Sequence, residues 1–209
     1  MLIILWAVGS FWMAGCAAGR AEAKRTIGVD VSGVPDIVIE HFNGNIEIVT
    51  GAANRVEAEV TAYAPAAQRN LLDQLTFDFT ADRAIVRGVG AWRQTEPVTG
   101  SVGLDMKLTV PAGSNLTVVL GNGNIRYDGT PTGETLYFEA GNGQVTLILP
   151  STQAFRIQAL IANGKFESDF PLGERANRGT VRVDDAVGAA PTLTVGATIG
   201  QGDLSIQQR

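Results

Sequence analysis

Four carboxylates are the residues best suited to catalysis in this sequence. They form two close pairs along the chain, Asp184 with Asp185 and Glu167 with Asp169. Glycoside hydrolysis uses two carboxylates about 5 to 10 Å apart and does not depend on a histidine. Mixed charge around the first pair is instead typical of a solvated loop or hairpin, so the sequence predicts an exposed surface and leaves a carboxylate site as the alternative. The other charged residues of this segment, residues 171–191, are Glu174, Arg175, Arg178 and Arg182.

Other catalytic classes are excluded by the shortage of histidine and cysteine. The 209 residues include one of each, His41 and Cys16. A zinc site draws three or four ligands largely from these two residue types, and Ser-His-Asp or Cys-His catalysis needs a positioned imidazole. His41 occupies the position that Leu120 and Ala140 fill in later segments of the same pattern, so we expect a buried structural histidine near one end of the fold. No metal or cofactor is expected.

The charge balance argues against a nucleic-acid partner. Lys and Arg number 16 and Asp and Glu number 21, which gives a net charge of -5, whereas nucleic-acid binding depends on clustered Lys and Arg. Two Gly-Asn-Gly segments look like the start of a dinucleotide fingerprint, but Arg126 and Thr146 stand where its third glycine belongs. These segments are therefore predicted to be turns.

The first fifteen residues predict a signal peptide. They contain no charged side chain and are mostly apolar. A membrane-spanning helix needs roughly 20 apolar residues, so a segment of this length is typical of a secretory signal instead. Small residues precede the lone cysteine, and this arrangement resembles the lipobox of bacterial lipoproteins. We therefore expect cleavage between Gly15 and Cys16 and lipidation of Cys16.

These expectations divide the chain into three parts. Residues 1–15 form the signal peptide, residues 16–24 a lipid-anchored tether, and residues 25–209 one β-strand-repeat domain. The membrane is then a partner through the N-terminal lipid, on the extracytoplasmic side of the bacterial cell envelope. An Ala-x-Ala pattern at residues 21–23 leaves open cleavage by an ordinary signal peptidase, which gives a secreted soluble protein.

A repeat of about twenty residues organises the rest of the chain, since Gly123, Gly143 and Gly164 follow one another by 20 and 21 residues. Between the turns apolar and polar residues alternate with period two, as in a strand with one buried face. Asn-Gly is a strong turn signal because both residues tolerate positive φ. The predicted turn residues are Asn43, Gly44, Asn122, Gly123, Asn142, Gly143, Asn163, Gly164 and Gly202.

The repeat predicts an all-β fold. Rungs of about twenty residues suit a single-stranded β-solenoid or β-helix-like stack, because no rung can bury its apolar face alone. A β-sandwich is the alternative, since regular short strands with Gly-rich turns also describe that class. The exception is residues 65–75, where proline is followed by apolar residues at helical spacing, which predicts one short surface helix.

Several motifs in a fixed order resemble one known family. The segment Phe-Asn-Gly-Asn-Ile-Glu-Ile at residues 42–48 opens the order, an alternating strand and a short helix follow over residues 55–75, and Val-Pro-Ala-Gly stands at residues 110–113. With the later Asn-Gly rungs, residues 25–209 are similar to the bacterial putative adhesin family of β-strand-repeat proteins, domain of unknown function 4097, in its lipoprotein form. Members usually carry Asp after Asn-Gly. This chain has Asn45, Asn124, Gln144 and Lys165 there, and only Asp203 conforms.

Two functions of different classes remain open. The first is a non-enzymatic cell-envelope lipoprotein that acts as an adhesin, a binding module or a spacer, with an envelope protein or polysaccharide as its partner. The resemblance implies a secreted or membrane-anchored β-repeat protein and agrees with this hypothesis. The alternative is a carbohydrate-active enzyme on a β-helix scaffold that uses paired carboxylates.

Overall fold

The computed structural model describes residues 14–17, 19–51, 54–82, 85–93, 97 and 100–209. This part of the chain is all-β, with eighteen strands and one short helix, Ala66–Gln74. In chain order the strands are β1 Ala14–Ala17, β2 Arg20–Asp30, β3 Asp36–Asn43, β4 Ile46–Gly51, β5 Arg55–Pro65, β6 Leu75–Asp82, β7 Ile85–Trp92, β8 Gly103–Pro111, β9 Asn115–Asn122, β10 Ile125–Asp128, β11 Thr135–Asn142, β12 Val145–Leu149, β13 Phe155–Asn163, β14 Phe166–Ser168, β15 Arg175–Asn177, β16 Thr180–Val187, β17 Leu193–Gln201 and β18 Leu204–Gln208.

The strands form two mixed sheets of nine strands each. Sheet A has the order β1-β2-β5-β8-β4-β10-β12-β18-β14, and sheet B has the order β15-β16-β13-β17-β11-β9-β3-β7-β6. In sheet A the strands from β8 to β14 pair in parallel, and the pairs from β1 to β8 are antiparallel. In sheet B parallel pairs fill the middle, and antiparallel pairs lie at both ends. The all-β prediction is confirmed.

Six rungs build the parallel part of the fold. Each rung is a strand of sheet B followed in the chain by a strand of sheet A: β3 with β4, β7 with β8, β9 with β10, β11 with β12, β13 with β14, and β17 with β18. Neighbouring rungs are in register, so Ile46 pairs with Ile125 and Ile125 with Val145. The alignment of apolar residues in the sequence repeat is therefore the alignment of strands in space.

One apolar core lies between the sheets. Alternate residues of most strands are buried, as in β13, where every second residue from Phe155 to Ile161 is buried. Tyr127 of sheet A meets Phe138 of sheet B with ring centroids 6.1 Å apart. Phe170 packs edge-on against Phe155 at 5.1 Å and is buried at the β13–β14 end of the core.

The rungs do not stack in chain order, which corrects the solenoid prediction. The β3–β4 rung lies between β7–β8 and β9–β10, and the β17–β18 rung lies between β11–β12 and β13–β14. A single-stranded solenoid in which each rung follows the previous one is therefore not formed, and the two facing sheets agree with the β-sandwich alternative. The physical reason is that the rungs share the same alternation, and five of the six share the same glycine bend, so these rungs can fit beside one another in more than one order.

The Asn-Gly pairs mark bends between the sheets rather than hairpin turns, because the strands on either side of a bend pair with other rungs. The five turn glycines, at positions 44, 123, 143, 164 and 202, have φ between +126° and +158°, which L side chains rarely adopt. The Gly143 N–H donates to the Gln201 carbonyl at 2.8 Å. A Cβ on Gly143 would overlap the carbonyl oxygen of Gly123 in the next rung. Both the backbone conformation and the stacking therefore require glycine.

The residue after each turn glycine forms a polar ladder along the bends. A side-chain oxygen in one rung accepts a hydrogen bond from the backbone N–H of the next, and both Asn and Asp can supply this acceptor. The hydrogen bonds of the ladder are Asn45 N–H to Asp105 Oδ1 at 2.9 Å, Asn124 N–H to Asn45 Oδ1 at 3.2 Å, Gln144 N–H to Asn124 Oδ1 at 3.0 Å, and Lys165 N–H to Asp203 Oδ1 at 2.8 Å.

The short helix occupies the position predicted from the sequence, but it is a 3-10 helix. It packs against β5, β2 and β6 and buries Leu71 and Leu72. Gln68 has non-helical backbone angles and interrupts it. The helix therefore covers the core at the end of the stack opposite β14.

Most of residues 16–24, which the sequence assigned to a tether, lie in strands: Cys16 and Ala17 end β1, and residues 20–24 begin β2. This strand pairs with β5 from end to end, and Ala21 and Ala23 are buried. The Arg20 guanidinium lies 3.7 Å from the centre of the Tyr63 ring and donates to Asp105 Oδ2 at 2.7 Å. The folded region therefore reaches back at least to Arg20.

His41 is buried between the sheets, with only 5% of its surface exposed. It pairs with Leu120 in register, and its Nε2 lies 2.8 Å from the Leu104 carbonyl oxygen. Burial lowers the pKa of His41, and the contact with the Leu104 carbonyl and the nearby charge of Asp105 oppose this shift. The position near the β7–β8 end of the stack agrees with a structural histidine.

Replacing a turn glycine should destabilise the fold strongly. We expect Gly143→Ala to lower the free energy of unfolding by about 2 to 4 kcal/mol, because the methyl group meets a backbone carbonyl and φ is unfavourable. Gly113→Ala is the matched control, since the nearest atom to its new methyl group is Thr132 Oγ1 at 3.6 Å. Urea denaturation of both variants measures the difference, and equal midpoints would contradict the stacking account.

The buried histidine predicts a loss of stability on acidification. The unfolded chain takes up a proton near pH 6.5 and the folded chain only at lower pH, so the contribution of His41 is complete above pH 6.5 and is lost as the pH falls below it. The slope reaches at most about 1.4 kcal/mol per pH unit. His41→Leu, which copies Leu120, should flatten the unfolding free energy between pH 7.5 and pH 5.5 (about the histidine range). An unchanged slope would show that other groups cause it.

Candidate functional site

The predicted carboxylate pairs lie in different sheets. Glu167 belongs to β14 of sheet A, and Asp169 follows that strand and accepts a hydrogen bond from the Gln208 N–H at 3.0 Å. Asp184 and Asp185 belong to β16 of sheet B. The four residues therefore do not converge in one cleft, and only Asp184 and Asp185 line a common cavity.

Asp184 and Asp185 do not face each other either. Consecutive residues of a strand point to opposite faces, and the two carboxylates have separate partners. Asp184 Oδ1 accepts a hydrogen bond from Arg156 at 3.0 Å. Asp185 accepts from the N–H groups of Gly173 and Ala186, each at 2.8 Å, and these bonds lower the pKa of Asp185. A glycosidase acid needs a raised pKa instead.

An open cavity of about 820 Å³ lies on sheet B at the β15–β16 end. Three neighbouring strands, β17, β13 and β16, form its floor, and residues 173–175 form a wall. The outward-facing side chains of the floor are chemically varied. They are Gln158, Leu160, Thr198, Arg182 and Asp184.

The register of the strands brings these side chains together. Thr198 pairs with Leu160, Leu160 pairs with Arg182, and Arg182 pairs with Arg175 of the wall. Among the described residues, Leu160 is one of three large apolar side chains that are exposed, with 38% of its surface accessible. The cavity thus combines an apolar floor with guanidinium, hydroxyl, amide and carboxylate groups.

The sequence singled out the charges of residues 171–191 but not the cavity. It treated the segment as a loop or extra hairpin, and the structure places the hairpin β15–β16 at the edge of sheet B. The contributions of Leu160 and Thr198 were missed, because they lie on other strands and reach the cavity only through strand register. No local signal marks them.

The predicted lipidation residue lies at the edge of sheet A. Cys16 is in β1 and pairs with Ala21 of β2. Residues 1–13 of the predicted signal peptide lie outside the described residues, and so does the side chain of Cys16. In the part of the chain that the structure describes, no helix has the length and hydrophobicity needed to cross a bilayer.

Metal-binding side chains are not clustered in the described residues, where no group of three or more His, Cys, Asp or Glu could hold an ion. The turn residues form no such group either. They hold backbone and amide contacts between rungs, such as Asn142 Nδ2 to Asn122 Oδ1 at 2.8 Å. Their role is in stacking.

No family model and no curated protein matches this sequence. Among solved structures, the chain is similar to a putative cell adhesion protein from Clostridium sporogenes, with a TM-score of 0.58 and 12% sequence identity, covering 90% of this chain and 100% of that one. A putative adhesin from Bacteroides fragilis aligns with a TM-score of 0.27 and 9% identity, covering 88% of this chain and 96% of that one. At these values the first comparison shows a shared fold, and the second adds nothing to it.

Proposed function

We propose that this protein is a non-enzymatic, adhesin-like module of the bacterial cell envelope, which is anchored by a lipid on Cys16 and binds an envelope polymer through the cavity on sheet B. Two similarities support the proposal. The fold is shared with a protein described as a putative cell adhesion protein. The order of sequence motifs resembles the bacterial putative adhesin family in its lipoprotein form.

The position of the cavity relative to Cys16 is the observation that carries the proposal. Cys16 lies next to β2, at one end of sheet A. Seven strand-to-strand steps separate β2 from β14 at the other end, which is roughly 34 Å at about 4.8 Å per step. The cavity lies beside β13, the rung partner of β14. A lipid on Cys16 therefore holds one end of the stack at a membrane and directs the cavity away from it.

The enzyme alternative has less support. It requires two carboxylates on either side of one bond, and Asp184 and Asp185 extend from opposite faces of β16 towards different partners. Binding requires only the mixed surface that the cavity offers. Many copies anchored on one membrane also raise the effective concentration of weak sites for a repeating polymer.

Removing the anchor should release the protein from the membrane. Cys16→Ser takes away the only thiol that can carry the lipid. The variant should therefore leave the membrane fraction or accumulate as the uncleaved precursor. Ala17→Ser is the matched control and should remain in the membrane fraction. Mass spectrometry of the mature N-terminus checks the same point: an unmodified, uncleaved Cys16 in a membrane-bound protein would contradict lipid anchoring.

Filling the cavity should weaken polymer binding. The full chain, purified in detergent, is sedimented with insoluble envelope polysaccharide and peptidoglycan, and released sugar is measured in the same samples. We expect binding without release of sugar, and we expect Thr198→Tyr to weaken binding at least about tenfold, since a loss of 1.4 kcal/mol corresponds to that factor. Thr146→Tyr is the control, because Thr146 is an equally half-buried threonine on the outer face of sheet A.

Two results would overturn this proposal. One is release of sugar that Asp184→Ala or Asp185→Ala abolishes, which would establish the enzyme. The other is binding that is equally reduced by both tyrosine variants or by neither, which would place the contact outside the cavity.

A further inference from the structure

Two arginines lie side by side in the cavity, and among the described residues neither forms an ion pair with an acidic side chain. Arg175 and Arg182 are directly opposite each other in the antiparallel pair β15–β16. Side chains at such positions are about 5 Å apart at Cβ, and like charges there destabilise a sheet. Neither arginine takes part in an ion pair within the described residues, whereas Arg156 on the neighbouring strand is bound to Asp184. The pair is therefore unfavourable unless a negative group bridges it.

Two of the three carboxylates that line the cavity near the arginines are already engaged. Asp184 is bound to Arg156, and both oxygens of Asp185 accept backbone N–H groups. Glu174, in the cavity wall, is exposed and has no ion pair in the described chain. The cavity thus offers two free guanidinium groups, each with several donors in a planar fork that matches a carboxylate.

The rest of the cavity suits a sugar ring better than a bare anion. Leu160 provides an apolar floor for the C–H face of a ring, and it lies directly beside Arg182 in register. Gln158 and Thr198 offer amide and hydroxyl groups to sugar hydroxyls, and the free carboxylate of Glu174 can accept further hydroxyl hydrogens. A volume of about 820 Å³ accommodates more than one ring.

From this arrangement we infer that the cavity binds an acidic polysaccharide, with the carboxylate of a uronic acid residue held between Arg175 and Arg182 and its ring on Leu160. The inference rests on the proposed function, to which it adds the ligand class. Binding is electrostatic in part, so it weakens as salt is raised.

Binding of the full chain in detergent to oligogalacturonate, measured by calorimetry, tests the inference. The neutral control ligand is the same oligomer after reduction of its carboxyl groups, and a polyglycerol phosphate distinguishes a phosphate source of the negative charge. We expect Arg175→Gln and Arg182→Gln each to weaken oligogalacturonate binding at least about tenfold. Arg178→Gln removes the same charge from the turn of the same hairpin, outside the cavity lining, and should bind as the unmodified chain does.

The thermal midpoint without ligand separates a binding role from a structural one. Because the two arginines repel each other, Arg182→Gln should unfold at the same temperature as the unmodified chain or higher, while its affinity falls. Arg182→Lys keeps the charge but loses the planar fork and should bind with intermediate affinity. A lowered midpoint in Arg182→Gln together with unchanged affinity in Arg182→Lys would contradict the inference.

The outcomes distinguish the inference from the proposed function. If the reduced neutral oligomer binds as well as the acidic one, the protein is still a polymer-binding module and the uronate site is wrong. If polyglycerol phosphate binds through both arginines and oligogalacturonate does not, the uronate assignment is likewise overturned. If no envelope polymer binds to the chain, the proposed function fails along with the inference.

Discussion

Close backbone contact between neighbouring bends is the constraint on which the rest of this structure depends. At Gly123 and Gly143 the next rung approaches so closely that no side chain fits. This contact fixes the parallel register, which sets the buried apolar rows in both sheets. It also fixes the outer rows, and so it brings Thr198, Leu160 and Arg182 together from three different strands. The cavity is a consequence of the same register that builds the core.

Much of the local structure could be predicted from the sequence, because it is encoded in short spacings. Period-two alternation indicated the strands. The position of each residue relative to the Asn-Gly pair indicated which residues pair in register between neighbouring rungs, as Ile46, Ile125 and Val145 do. The order of the rungs could not be predicted, since the same alternation occurs in the rungs and five of the six share the same turn glycine. The N-terminal strand was also missed: small residues such as Ala21 and Ala23 are common in linkers, and only their pairing with β5 identifies them as core.

The candidate site shows the same division between local and long-range information. Residue types indicated a charged segment and excluded metal and histidine chemistry. The sequence could not show that Asp184 and Asp185 are bound by different partners. Nor could it show that Arg175 and Arg182 lie opposite each other with no ion-pair partner among the described residues. These relations depend on which strand lies next to which. They weaken the catalytic alternative for this segment and support recognition by arginines on the exposed surface that the sequence predicted.

Hydroxyl-radical footprinting of the full chain, with and without oligogalacturonate, tests the central claim most directly. Three exposed apolar side chains act as reporters: Leu160 in the cavity at 38% exposure, Ile85 at the other end of sheet B at 47%, and Val34 at 58%. The account predicts that the ligand protects Leu160 from oxidation and leaves Ile85 and Val34 unchanged. Protection of Ile85 or Val34 without protection of Leu160 would contradict it.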